Sequence, residues 1–254
     1  MKRFIESAAV VVVLLVLWHF ARQSGRWTEY ILPGPLRVWN TFWDMAGDGS
    51  LLKHTLSSLA RVFYGFSAAF ILAFVLGTLA GVFPRSASFY SPIVEFLRNV
   101  PPMSLIPLLI LWFGIGERSK IIFIVLTSFF PMFLSIQKGF ASCDIKLLEV
   151  GSAFSFSRWQ RFRRIMLPAA VPDILVGMRV GLGFSWRAII GAEMIAASSG
   201  LGYLILHSQQ MSRSDRVIAG IFAIGIVGGS CNRLFSFVIK RFAWGGAGDS
   251  WSGD

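Results

Sequence analysis

Residues 169–196, AAVPDILVGMRVGLGFSWRAIIGAEMIA, place Asp173, Arg179, Arg187 and Glu193 inside a run long and apolar enough to cross a bilayer. Ionisable groups at membrane depth are costly, and they face a protein interior or a water-filled cavity. Counted from Pro168 along a helix, Arg179 lies roughly 16 Å in, near the bilayer centre, and Arg187 about 28 Å in, near the far boundary. The two arginines are about 80° apart around the helix and about 12 Å apart along it, so both could face one pathway at successive depths. Cations stationed along a wet pathway lower the barrier to an anion and raise it for a cation. The same residues also admit a structural role, with Arg187 reaching out to the interface and Arg179 paired with a neighbouring span. Gly177, Gly181 and Gly183 permit close helix approach in either case. The SSGLGYL stretch that follows suits a tight re-entrant turn.

Earlier in the chain, LRNVPPMSLIP sets Arg98 just before Pro101 and Pro102. The prolines remove backbone donors and push Val100 out of helical geometry. Broken backbone at membrane depth is tolerated where it is buried in protein or lines a cavity. Arg98, Pro101 and Pro102 therefore form either a pathway-lining break or a packing kink in which Glu95 and Arg98 pair. Catalytic chemistry finds little support. There is no H-E-x-x-H and no G-x-S-x-G, since Gly183-Phe184-Ser185-Trp186-Arg187 lacks the second glycine. His19, His54 and His207 are scattered, and Cys143 and Cys231 lie far apart, so neither a metal, a cofactor nor a disulfide framework is expected. An intramembrane enzyme is disfavoured on these grounds; a receptor or assembly scaffold is harder to exclude from composition.

A third constellation is EVGSAFSFSRWQRFRRIMLP, residues 149–168. Asp144 suits the N-cap of one short helix and Ser157 that of a second. At 100° per residue, Trp159, Phe162, Ile165 and Met166 share one face of the second helix, with Arg161, Arg163 and Arg164 on the other. Such a helix can lie on anionic lipid or dock into a protein partner, and periodicity alone favours lipid.

The elements that must position these groups are membrane spans. The 254 residues are 55% hydrophobic and 15% charged, with mean hydropathy +0.65; a soluble domain carries roughly 25% charged residues. The net charge of +11 is spread between apolar runs and forms no single patch, which fits anionic lipid and not nucleic acid. About six transmembrane helices are expected: residues 1–22 as an uncleaved first span, then spans near 57–82, 89–113, 121–137, 169–196 and 217–238. The fold class is an all-α membrane protein, with an external or interfacial segment at 23–56, a transmembrane core at 57–242 and a flexible tail at 243–254. Pro131 would kink the fourth span. Even numbers of spans put both termini on one side. The positive-inside bias is small over the chain, with Arg85 and Lys138 among the inner charges and Arg37, Lys53, Arg118 and Lys120 among the outer ones. It is concentrated in the 139–167 connector, which holds Lys146, Arg158, Arg161, Arg163 and Arg164, so connector and termini are expected in the cytoplasm. Within the external segment, PGPLRVWNTFWDMAG starts with a proline suited to a first helical turn. Its tryptophans fit a helix lying in the membrane interface, and equally one packed on the spans.

Residues 149–168 resemble the EAA loop of ABC-transporter permeases, in which E-A-A, three residues, a glycine and nine residues precede I-x-L-P. Glu149 takes the glutamate place, and Ile165, Leu167 and Pro168 fall on I-x-L-P without a gap. Val150 and Gly151 replace the alanines, and Ser155 replaces the glycine at the turn between the two helices. ILPGPLRVWNTFW, SSLARVFYGF, LRNVPPMSLIPLLILWFGIGERSKIIFI and GAEMIAASSGLGYLI are similar, in unbroken order, to the sulfonate/taurine/nitrate/bicarbonate group of these permeases. The resemblance implies a permease homodimer in a bacterial inner membrane, driven by separate cytoplasmic ATP-binding subunits and supplied by an external solute-binding protein. It implies coupling to the ATPase through Glu149, Gly151, Ser155, Trp159, Arg161, Phe162, Arg164, Ile165, Leu167 and Pro168. Members of the wider group carry sulfonates, nitrate or bicarbonate, and some carry neutral or cationic vitamin precursors.

Overall fold

The computed structural model describes residues 2–26, 28–83 and 87–243, and all regular secondary structure among them is helical. Arg85 and the expected tail from residue 244 lie outside the described residues. Helix α1 spans Lys2–Gln23, α2 Pro35–Gly47, α3 Ser50–Val82 and α4 Ala87–Asn99. A single 3₁₀ turn, Pro102–Leu105, leads into α5, Ile106–Phe113. Then come α6, Glu117–Ala141, α7, Ile145–Ala153, and α8, Arg158–Arg161. A π turn over Phe162–Met166 runs into α9, Leu167–Ala196, which is followed by α10, Leu201–Gln210, and α11, Ser214–Ala243.

Among the described residues, four stretches are long and apolar enough to cross a bilayer: α3, α6, Arg158–Ala196 and Ser214–Ile239. A bent pair, Pro92–Asn99 and Pro102–Phe113, meets the same test when taken together; its axes meet at 87°, the geometry of a broken span or a re-entrant loop. The bend falls at Pro101 and Pro102, where no backbone N–H is available to continue the ladder of α4. The expected first span falls on α1, 22 residues long, of which 12–23 is the apolar described part. Pro131 lies inside α6, which continues through it as a single helix.

The chain divides into two compact units. One is the chain up to Leu59 with Glu193–Val227; the other is Ala60–Ala192 with the chain from Gly228. In the second unit Ala69, Ala73 and Ala80 of α3 pack against Met132, Phe133, Ile136 and Phe140 of α6 and Ala170 and Ile174 of α9. A neighbouring cluster joins Val62, Ile106, Leu109, Phe123, Ile124, Ala188 and Ile189. Lipid tails are as apolar as leucine, so burial from water adds little here, and close van der Waals packing of small residues holds the helices together. Gly177 and Gly181 of α9 accordingly abut Ser135 and Met132 of α6. In the first unit, Leu204 and Ile205 of α10 lie on Gly220 of α11, and Trp18 of α1 stacks on Phe222 with ring centroids 6.4 Å apart.

Candidate functional site

The connector between α6 and α9 folds as two short capped helices. Asp144 Oδ1 accepts the Lys146 N–H at 2.8 Å and starts α7. Ser157 Oγ accepts the Gln160 N–H at 3.2 Å while Gln160 Oε1 accepts the Ser157 N–H at 2.8 Å, a reciprocal capping box that starts α8. The turn between them places Ser155 at φ +55°, in the left-handed region that costs a side-chain-bearing residue roughly 1–2 kcal/mol. The loop therefore turns as a glycine would turn it, with serine carrying the strain. Gly151 is buried at the crossing of the two helices, where a Cβ would come within 2.6 Å of Ile165 Cδ1. Arg161 donates to Ser152 Oγ at 3.1 Å, and the Arg164 guanidinium lies over the Phe156 ring at 5.5 Å.

The π turn was not legible in the sequence. It adds a residue to one turn just before Pro168, whose ring would otherwise meet the carbonyl of Arg164. The regular 100° wheel is thereby shifted. Phe162 stacks on Phe140 of α6 at 5.7 Å, and Ile165, Met166 and Leu167 are half-buried. Trp159, expected on the same face, is 65% exposed, and Phe154 is 73% exposed. Glu149, Ile145, Leu147, Val150, Arg163 and Pro168 are exposed as well. The connector thus presents exposed apolar side chains among a carboxylate and arginines, and is held in shape by its own caps. Beside it, burial and the Asp144 carboxylate raise the Cys143 thiol, which disfavours a reactive thiolate.

The charged residues of α9 separate. Arg179 and Arg187 are both exposed, and both line one cavity of about 830 Å³ in the second unit, with Val62, Val176, Trp186 and, from α11, Asn232. Gly183 opens onto the same space, and the Arg187 guanidinium sits 5.8 Å from the Phe184 ring centroid. Arg98, Pro101 and Pro102 are exposed and are not among the cavity-lining residues. Glu95 and Arg98 form no ion pair among the described residues. Asp173 lies 3.5 Å from Lys138 of α6. Glu193 belongs to the first unit, where it is fully buried. Its carboxylate accepts the Ser58 hydroxyl at 2.8 and 2.9 Å and the Gly202 N–H at 3.0 Å, and Ser58 Oγ accepts the Leu201 N–H at 2.9 Å. The orphan N–H groups that open α10 are thus capped from α3 and α9. Gly200, at φ +114°, makes room: a Cβ there would overlap that carboxylate.

Another charged cluster went unread in the sequence. Arg61 of α3 and Lys120 of α6, both buried, converge on Glu117: Arg61 Nε donates at 2.6 Å, its Nη2 at 2.9 Å and Lys120 Nζ at 2.7 Å. Its sequence signals are the i,i+3 spacing of Glu117 and Lys120 and an arginine early in an apolar run. The partner, 56 residues on, is not marked by any spacing rule.

The model of the family of binding-protein-dependent transport system inner membrane components matches residues 69–243, which include the connector, the cavity arginines and most of the spans. The chain belongs to this family. It is a multi-pass membrane permease component, and its relatives are transport subunits. It is 36% identical over 229 residues to a Bacillus subtilis permease assigned to aliphatic sulfonate transport, covering 89% of this chain and 83% of that one. It is 34% identical over 226 residues to the taurine transport system permease of Escherichia coli K12, covering 87% and 82%. It is 32% identical over 245 residues to the nitrate import permease of Synechocystis, covering 93% and 88%. Among solved structures, an amino acid ABC transporter crystallised with histidines superposes with TM-score 0.61 at 15% identity, over 79% of this chain and 96% of that one. The inward-facing MetNI methionine transporter superposes with TM-score 0.58 at 17% identity, over 73% and 96%. Both share the permease fold.

Proposed function

We propose that this permease carries a small anion of the sulfonate, taurine, nitrate or bicarbonate type, with organic sulfonates first. The observation that carries the reading is the pair Arg179 and Arg187 on the wall of one cavity of about 830 Å³. In a wall otherwise built from apolar spans, two guanidinium groups favour an anion and oppose a cation. The named solutes of the sulfonate, taurine and nitrate relatives are anionic or carry a sulfonate, which agrees. The working unit is a pair of permease chains in a bacterial inner membrane, with termini and connector in the cytoplasm. Two ATP-hydrolysing subunits bind inside and a solute-binding protein outside. Glu149, Trp159, Phe154 and the arginines of the connector form the face that docks into the ATPase. The capped helices move as one body when the ATPase pair closes, and the motion enters α9 through Leu167 and Pro168.

The test is uptake into liposomes by the complete complex with its own binding protein. Taurine, a short alkanesulfonate, nitrate and bicarbonate are set against a cationic pyrimidine of the vitamin-precursor type. ATP-dependent uptake of an anion with exclusion of the cation is expected. Uptake of the cation alone would overturn the anion assignment.

A further inference from the structure

Helix α2 divides its circumference into three sectors. Val38, Thr41 and Met45 are buried and Phe42 half-buried, on one side of the wheel. Leu36, Trp39 and Trp43 occupy the next sector and are 72%, 58% and 54% exposed. Arg37, Asn40 and Asp44 fill the third, also exposed. A helix packed only on protein needs one apolar stripe, and a helix on the surface of a soluble domain shows one stripe with a polar remainder. Protein, apolar medium and water meet at α2.

Its level along the spans is fixed from two directions within the first unit. Trp18, near the end of α1, donates its indole N–H to Pro33 O at 3.1 Å, two residues before α2 begins. Thr41 donates to Asp215 Oδ2 at 2.9 Å, and Asp215 is the second residue of the apolar stretch Ser214–Ile239. Ser214 donates to Tyr30 O at 2.5 Å. A belt of charge lies at this level. Arg22 pairs with Glu29, Arg37 lies 3.3 Å from Glu29 and 4.0 Å from Asp215, and Arg213 chelates Asp215 at 2.7 and 2.9 Å. The helix axis is therefore tied to the point where α11 leaves the polar belt for its apolar run. Exposed apolar side chains also stand on α1, at Leu14, Leu17 and Phe20, and on α11, at Ile221 and Phe222. Tyr30 and Ile31 are exposed on the turn before α2.

We infer that α2 rests on the bilayer, with Leu36, Trp39 and Trp43 seated at the headgroup–acyl boundary and Arg37, Asn40 and Asp44 turned to water. Tryptophan suits that boundary because its ring is amphipathic. The Trp39 and Trp43 rings, 5.6 Å apart and edge to face, offer a stiff anchor. This inference rests on the reading of α11 as a membrane span. Seating α2 there fixes the depth of the start of α11 and of the segment joined to α1.

The test uses the full-length protein in phosphatidylethanolamine/phosphatidylglycerol nanodiscs, with Cys143→Ser and Cys231→Ser and one nitroxide-labelled cysteine at a time. Collisions with oxygen, which partitions into lipid, are compared with those of a water-soluble nickel chelate. Labels at Trp39→Cys, Trp43→Cys and Leu36→Cys should each favour oxygen several-fold, Asp44→Cys should reverse the ratio, and Met45→Cys should be shielded from both. Chelate accessibility at residues 36, 39 and 43 would put that face in water. Shielding from both reagents, with spin–spin coupling between chains, would put a second copy there. Either result overturns the inference. Ile226→Cys, exposed midway along α11, serves as reference: if it too favours the chelate, the span reading itself has failed.

Discussion

Glu193 and Arg187 stand six residues apart on α9 and are treated in opposite ways. The carboxylate is fully buried, and it accepts a serine hydroxyl and a backbone N–H at the start of α10. The guanidinium is exposed on the wall of a cavity, as is that of Arg179 two turns earlier. A buried charge inside apolar spans is tolerable only when its hydrogen-bonding capacity is met. Glu193 meets that condition with groups that cannot move without unmaking α10, so its charge is part of the fold. Arg179 and Arg187 instead line a cavity, on the side of α9 that a passing solute would meet. Sequence spacing cannot separate these roles, because all three residues sit in the same apolar run.

Substitutions can break this contrast. The largest effect is expected at Gly200→Ala. It places a methyl group into the Glu193 carboxylate at a backbone φ that alanine rarely adopts, so the permease should be lost from the monodisperse peak in detergent. A variant with the Tm of the parent protein would show that the buried cap is dispensable. Next comes Glu117→Gln. It leaves Arg61 and Lys120 buried with an amide between them, at a cost of about 3 kcal/mol. Glu117 itself is 58% exposed, so solvent screening pulls the effect toward the low end of that range. Thermal unfolding in detergent should show a drop of several degrees, and no change would place the cluster among weak surface pairs. The smallest effect is a gain. Ser155→Gly removes the left-handed strain of the connector turn and should raise stability by about 1 kcal/mol, without loss of ATPase assembly. A destabilised variant would mean that the serine hydroxyl is needed there.

Much of the fold was legible because its signals are local. Apolar run lengths mark the spans, the double proline marks the break at 87°, and Asp144 and Ser157 mark the caps of the connector helices. The positive φ of Ser155 was not, since serine argues against such a backbone and only the fold around it imposes one. The parting of exposed Trp159 from half-buried Ile165 and Met166 was missed because a π turn between them alters the angular period. Of the candidate pathway residues, Arg179 and Arg187 share a cavity because regular helix geometry carries over two turns. The role of Glu193 depends on Ser58, 135 residues away, and the arrival of Arg61 at the local Glu117–Lys120 pair likewise depends on long-range packing.

The account stands on the separation of structural from solute-facing charge, and Arg179→Gln in the complete complex tests it most directly. The substitution removes the charge and leaves a shorter polar side chain that still donates hydrogen bonds. Unchanged Tm and unchanged assembly with the ATPase are predicted, together with at least about a tenfold fall in sulfonate uptake, the effect of roughly 1.4 kcal/mol on a barrier. Uptake at the parent rate would contradict the role of this cation in the pathway, and a variant that no longer folds would make Arg179 a structural partner like Glu193.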